Sequence, residues 1–142
     1  MKIVEKDNII INSNKINKEN IIENMISSLN LDIEISENIK NEIMIREKID
    51  NTVLGFGFAI PHCKSKYINE SKVVYLKSLT NIIWDKEEEP VNHVFMILVP
   101  ENNVGEHIDI LKDISSKIID KNFRNKLNIL EDKIEIEKIL NS

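Results

Sequence analysis

Apolar residues recur at helical spacing toward both ends of the chain and at strand spacing in its middle. Ile9-Ile10-Ile11 reads as a short strand after a charged start. From Asn17, a residue suited to an N-cap, Ile21, Ile22, Met25, Ile26 and Leu29 fall on one helical face that ends near Asn30. Ser36 can cap a second helix, with Ile39, Ile43 and Met44 among its apolar positions, running toward Arg46-Glu47-Lys48. The segment from Asp50 to Lys66 differs. It holds two of the three glycines, Gly55 and Gly57, with apolar residues around them, as in a short buried strand leaving a tight loop. Lys72 to Leu79 alternates imperfectly and predicts a strand; Asn81 to Trp84 predicts another short extended piece. Val94-Phe95-Met96-Ile97-Leu98-Val99 is continuous rather than alternating, the pattern of a central strand covered on both faces, and Pro100 ends it.

Beyond Pro100 the period turns helical again. Gly105-Glu106-His107 opens a run with Ile108, Leu111, Ile114 (or Ser115) and Ile118 on one face. Phe123, Leu127 and Leu130 predict a short further helix, and Ile136, Ile139 and Leu140 a terminal one. Helices, then strands, then helices around one buried strand predict a mixed α/β sandwich. The length, 142 residues, suits one domain over 1–142, because a chain of this size buries roughly 68–70% of its unfolded surface in a single core.

Composition narrows the function classes. At 42% hydrophobic and 30% charged the chain is globular rather than disordered. Its longest apolar runs, such as Val94 to Val99, fall far below the ~20 residues of a membrane span, so no membrane insertion is expected. The start, Met1-Lys2-Ile3-Val4-Glu5-Lys6-Asp7, has no h-region, and no secretory signal is expected. The single cysteine, Cys63, excludes an internal disulfide and fits a reducing cytoplasm, the expected location. A net charge of -5 without a Lys/Arg stripe argues against direct nucleic-acid binding and suits a positively patched partner. Acidic residues crowd at Glu87-Glu88-Glu89 and in the C-terminal helices.

The candidate chemistry lies with the histidines. His62 follows a glycine-spaced loop that lets backbone approach a ligand, and Pro61 fixes φ just before the imidazole. His107 stands in the first turn of a predicted helix directly after the most buried strand, where backbone N–H groups and the helix dipole favour an anion. His93, on the approach to that strand, reads as structural. Two imidazoles and a helix N-terminus suit phosphate better than a metal; no pair among His62, Cys63, His93 and His107 has helical ligand spacing, and no C-x-x-C occurs. Neither metal nor cofactor is expected. Cys63 and His62 are adjacent in extended chain, so they point to opposite faces and do not form a nucleophile pair.

Arg46-Glu47-Lys48 followed by Asn51-Thr52-Val53-Leu54-Gly55-Phe56-Gly57-Phe58-Ala59-Ile60-Pro61-His62 resembles the signature of enzyme IIA domains of the fructose/mannitol type in the bacterial phosphoenolpyruvate-dependent sugar phosphotransferase system. The family pattern runs R-E, then S-T-G, a G-x-G pair and A-[IVL]-P-H, and its last histidine carries a phosphoryl group. The resemblance continues through Ile83-Trp84, Val94 to Pro100 and His107-Ile108-Asp109-Ile110-Leu111, nearly the whole chain. Asn51, Val53, Phe56 and Cys63 depart from the usual residues, and these departures bear on subgroup and loop shape.

The resemblance implies a three-layer sandwich, with helices flanking both faces of a mixed, mostly parallel sheet. It implies a phosphotransferase in which His62 takes a phosphoryl group from phospho-HPr and passes it to a cysteine of an enzyme IIB domain. The attacking nitrogen would be Nε2, with Nδ1–H held by a backbone carbonyl. His107 would hydrogen-bond the phosphoryl oxygens and Arg46 would close the site. Thr52 would offer a hydroxyl contact or a loop-shaping hydrogen bond, and Gly55 and Gly57 would belong to the phosphate-binding loop. A water-excluding apolar rim is expected, with Phe56 as its surface candidate and Phe58 in the core. Related domains also serve as regulatory modules, where phosphorylated His62 would be a signal read by a partner.

Overall fold

The computed structural model describes residues 2–85 and 89–142. Glu87 and Glu88 of the acidic run therefore lie outside the described residues. Six strands form one sheet: β1 (Ile9–Ser13), β2 (Val53–Gly55), β3 (Phe58–Ala59), β4 (His62–Ser65), β5 (Lys72–Ile82) and β6 (Val91–Pro100). Among the described residues five α-helices accompany them: α1 (Lys18–Ser27), α2 (Ile33–Ile49), α3 (Val104–Ile119), α4 (Lys121–Ile129) and α5 (Lys133–Leu140). The strand order is β1-β5-β6-β3-β2, with β4 also on β6. β1–β5, β3–β6 and β4–β6 are parallel, β5–β6 and β2–β3 antiparallel, so three of the five pairings are parallel.

The continuous apolar run of β6 has a simple cause: both of its faces are covered. Val94, Met96 and Leu98 face Ile21, Ile22 and Met25 of α1 and Ile39 and Ile43 of α2. Phe95, Ile97 and Val99 face Ile110, Ile114 and Ile118 of α3, with Phe123, Leu127, Ile136 and Leu140 beyond. The expected three-layer α/β sandwich follows, with a core on each side of the sheet. Among the described residues, no helix is long and apolar enough to cross a membrane.

Asn17 caps α1 as expected, its side chain accepting from the Asn20 N–H at 2.9 Å. Three expectations need correction. Ser36 does not cap α2: the helix begins at Ile33 after Asp32, and the Ser36 N–H donates to the Asp32 carbonyl inside the first turn. Ile35 packs against the core there, which favours the extra turn. Asn81 to Trp84 is not a separate piece, since β5 continues through Ile82 past an irregular register after Lys77. The inner face of α3 is His107, Ile110, Ile114 and Ile118, while Ile108 is 55% exposed. Counting only apolar residues misplaces that face by one position, because the histidine belongs to it.

Candidate functional site

His62 owes its position to a break in strand pairing. β3 and β4 lie end to end along the same edge of β6, interrupted at Ile60 and Pro61. Pro61 has no N–H to give the ladder, but its carbonyl accepts from the Ile97 N–H at 3.0 Å, and β4 begins with His62 opposite Ile97. The imidazole turns back on this break: Nδ1 lies 2.8 Å from the Ile60 carbonyl oxygen. A carbonyl only accepts, so Nδ1 carries the proton and Nε2 keeps the lone pair. The Ile60 N–H in turn donates to the Thr52 carbonyl at 2.9 Å. The tautomer is thus tied to backbone on both sides of the turn.

His107, in the first turn of α3, brings its ring centroid within 5.4 Å of that of His62, at 49°. Asn103 starts this helix by accepting from the Glu106 N–H at 3.3 Å. His107 is buried, and its Nδ1 has no hydrogen-bond partner among the described residues. Such an orphaned nitrogen costs about 1–3 kcal/mol unless something polar meets it. Burial, then the neighbouring His62 and Lys64, lower its pKa and favour the neutral ring. Arg46, in the last turn of α2, donates from Nη1 to the Asp50 carbonyl at 2.8 Å.

His62, His107 and Arg46 line one open cavity of about 540 Å³, together with Glu42, Cys63, Lys64 and two isoleucines of α2. The Cys63 thiol is pushed up to about 12 by burial and by Glu42, so it is a poor nucleophile beside the imidazole. Among the described residues, no group of three His, Cys, Asp or Glu side chains is placed to hold a metal ion. The arrangement presents an imidazole lone pair beside two cations and a second imidazole, which suits an anionic electrophile.

The other candidates lie in the supports of this cavity, not in its lining. Thr52 directs its hydroxyl to Glu47 Oε2 in a short hydrogen bond, and its N–H donates to Glu47 Oε1 at 3.3 Å. Gly55 (φ +111°), Phe56 (φ +57°) and Gly57 (φ +86°) make the left-handed turn between β2 and β3. At Gly57 a Cβ would lie 2.6 Å from Asn92 Oδ1, while its carbonyl accepts from the Asn92 and His93 N–H groups. Phe58 is buried as expected; Phe56 is exposed but stacks under the Arg124 guanidinium, 4.0 Å from the ring centroid.

Sequence reasoning missed four residues here. Ile45 and Ile49, 63% and 77% exposed, supply apolar surface at the cavity itself, where Phe56 was expected to. Their i, i+4 spacing off the Ile39–Ile43 face was the available signal. Lys64 stands two residues along the strand from His62, hence on its face. Glu47, buried at 4%, accepts from Trp84 Nε1 at 2.9 Å and pairs with Lys18 at 3.2 Å. It ties the end of α2 to the loop that leads to His62.

A tautomer-locked histidine on a strand edge, facing a second imidazole from the next helix of a three-layer sandwich, defines a class of anion-handling α/β domains. Comparison with known proteins makes the class specific. A family model described as "Phosphoenolpyruvate-dependent sugar phosphotransferase system, EIIA 2" matches residues 2–142, and the chain belongs to this family. Multiphosphoryl transfer protein 1 of Escherichia coli K12 is 29% identical over 136 residues, covering 94% of this chain but only 16% of that protein. The chain thus spans about a sixth of the length of this much larger relative. The PTS system fructose-specific EIIA component of Haloferax volcanii is 31% identical over 99 residues, 69% of this chain and 64% of that one. The crystal structure of nitrogen regulatory protein IIA-Ntr from Neisseria meningitidis superposes with a TM-score of 0.88 at 25% identity, covering 97% of this chain and 96% of that one.

Proposed function

We propose that this chain is a cytoplasmic phosphocarrier, residues 1–142 acting as one unit: His62 accepts a phosphoryl group from phospho-HPr and passes it to a cysteine of an enzyme IIB domain for sugar uptake. The observation that carries this reading is the Nδ1–Ile60 hydrogen bond, which leaves the Nε2 lone pair of a cavity-lining imidazole as the nucleophile. Nε2 forms a P–N bond as the donor histidine's P–N bond breaks, and the donor nitrogen recovers its electron pair. Exchange between two such bonds is close to thermoneutral, so the protein supplies alignment and charge stabilisation rather than driving force. Arg46 and His107 meet the phosphoryl oxygens, the first with a planar fork and the second through its unpartnered Nδ1 when that nitrogen carries the ring proton. Thr52, Gly55 and Gly57 serve the site by shaping the chain that leads to His62. Ile45 and Ile49 form the apolar lip against which a docked partner excludes water.

Incubation with phosphoenolpyruvate, enzyme I and HPr should add roughly 80 Da, one phosphoryl group, to the intact protein. The label should then leave on addition of a cognate IIB domain. No mass gain would overturn the carrier reading. The likeness to nitrogen regulatory protein IIA-Ntr favours a second reading, in which phosphorylated His62 is a signal read by a bound regulator. A mass gain that persists through every IIB tried, with binding to a regulator that depends on it, would select that reading.

A further inference from the structure

We propose that Lys64 is a catalytic cation of this site, its ammonium group binding a phosphoryl oxygen on His62 alongside Arg46 and His107; the inference rests on the phosphocarrier reading above. Its placement follows from the strand. Burial along β4 alternates, with Cys63 and Ser65 buried, His62 half-buried and Lys64 exposed. Residues 62 and 64 therefore leave the same face, their Cα atoms about 6.6 Å apart, within reach of a four-carbon stem.

The charged and titratable groups of the cavity are Glu42 and Arg46 from α2, His62, Cys63 and Lys64 from β4, and His107 from α3. Glu42 forms no ion pair with Lys64 among the described residues; its Oε1 accepts from the Ser65 hydroxyl at 2.9 Å. Lys18, Lys40, Lys72 and Lys117 each pair with a carboxylate, whereas the Lys64 ammonium makes no hydrogen bond or ion pair among the described residues. The charge is nonetheless felt inside the site, since Lys64 is among the causes that lower the His107 pKa. A phosphoryl group on Nε2 presents three oxygens. Arg46, His107 and Lys64 reach them from three different elements, which fixes the group's rotation as well as its charge.

Two donors separate this role from partner docking. Phospho-HPr must dock, whereas phosphoramidate is a small molecule: the Nε2 lone pair forms the new P–N bond as the old one breaks, and the leaving nitrogen departs as ammonia. Lys64→Gln should slow phosphorylation of His62 at least about tenfold with both donors, less than the ~10²–10³ of a preorganised oxyanion donor because the lysine is exposed. Lys64→Arg should restore most of the rate. In the phosphorylated protein, 31P chemical shift against pH should show the phosphoryl group's second ionisation at higher pH in Lys64→Gln than in wild type. Slowing with phospho-HPr alone would make Lys64 a docking charge and overturn the inference, as would unchanged rates and an unchanged titration. Wild type that reacts with phosphoramidate but not phospho-HPr would overturn the carrier reading, while the phosphoramidate arm still decides the role of Lys64.

Discussion

β6 carries two histidine environments, four residues apart in register and about 13 Å along the strand. His93, paired with Phe58 of β3, is buried with both nitrogens engaged: Nδ1 lies 2.7 Å from the Tyr75 hydroxyl and Nε2 2.7 Å from Asn128 Oδ1. Phe58 stacks on its ring at 4.5 Å. His62, opposite Ile97, has one nitrogen tied to Ile60 and the other without a protein partner among the described residues, and the buried Nδ1 of His107 beside it has none either. Residue type is the same at the two places. What separates a structural imidazole from a reactive one here is the accounting of its two nitrogens.

The comparison breaks most visibly in phosphate acceptance. His62→Ala should lose all mass gain with phospho-HPr while its melting temperature stays near wild type, and His93→Gln should keep the gain. A phosphorylated His62→Ala protein would erase the distinction. Next in size, His107→Ala and Arg46→Lys should each slow transfer by ~10²–10³, the range for losing one preorganised oxyanion donor. Rapid-quench measurement of the bimolecular rate decides this, and an unchanged His107→Ala rate would reduce that residue to the start of α3.

The His93 end sharpens the contrast through pH. Burial, with a smaller contribution from Lys77 and against the Asn128 hydrogen bond, lowers its pKa to about 4. Folding therefore favours the neutral ring. The associated stability is complete above the unfolded value near 6.5, declines as pH falls, and is lost by about 4, with an upper bound of about 3 kcal/mol. Urea titrations at pH 7 and pH 4.5 should show this loss in wild type and a smaller one in His93→Gln; equal losses would show that His93 is not responsible. The smallest effect concerns encounter. With a net charge of -5, transfer from a basic donor face should slow several-fold as salt rises, because steering charges change the on-rate while Ile45 and Ile49 set the lifetime. A rate flat to ~0.5 M salt, where the Debye length is well below ~8 Å, would remove electrostatics from the docking.

Much of this was legible in the sequence, for physical reasons. Six successive apolar residues at 94–99 require cover on both faces, which implies a central strand with helices on either side. The Asn17 cap and the glycine-spaced turn were legible as local chemistry. Strand order was not: β3 has two residues and β4 four, too few to show a period, and their pairing depends on where Pro61 interrupts the ladder. The inner face of α3 was misplaced because its first member is polar. His62, His107 and Arg46 were legible as residue types through the family signature, and the fold brings them to one cavity. Thr52 was legible only as a hydroxyl contact or a loop-shaping hydrogen bond, and Glu47, the buried carboxylate that accepts from it, looked like an ordinary charge on a charged helix end.

The central claim is that the nitrogen left unengaged at His62 is the one that carries phosphate. Long-range 1H–15N correlation spectra of uniformly labelled protein, before and after phosphorylation by phosphoenolpyruvate, enzyme I and HPr, test it directly. The account predicts that His62 begins as the Nδ1–H tautomer and that a 15N–31P coupling then arises at Nε2 of His62 alone. Phosphorus on Nδ1 of His62, or on His93 or His107, would contradict it.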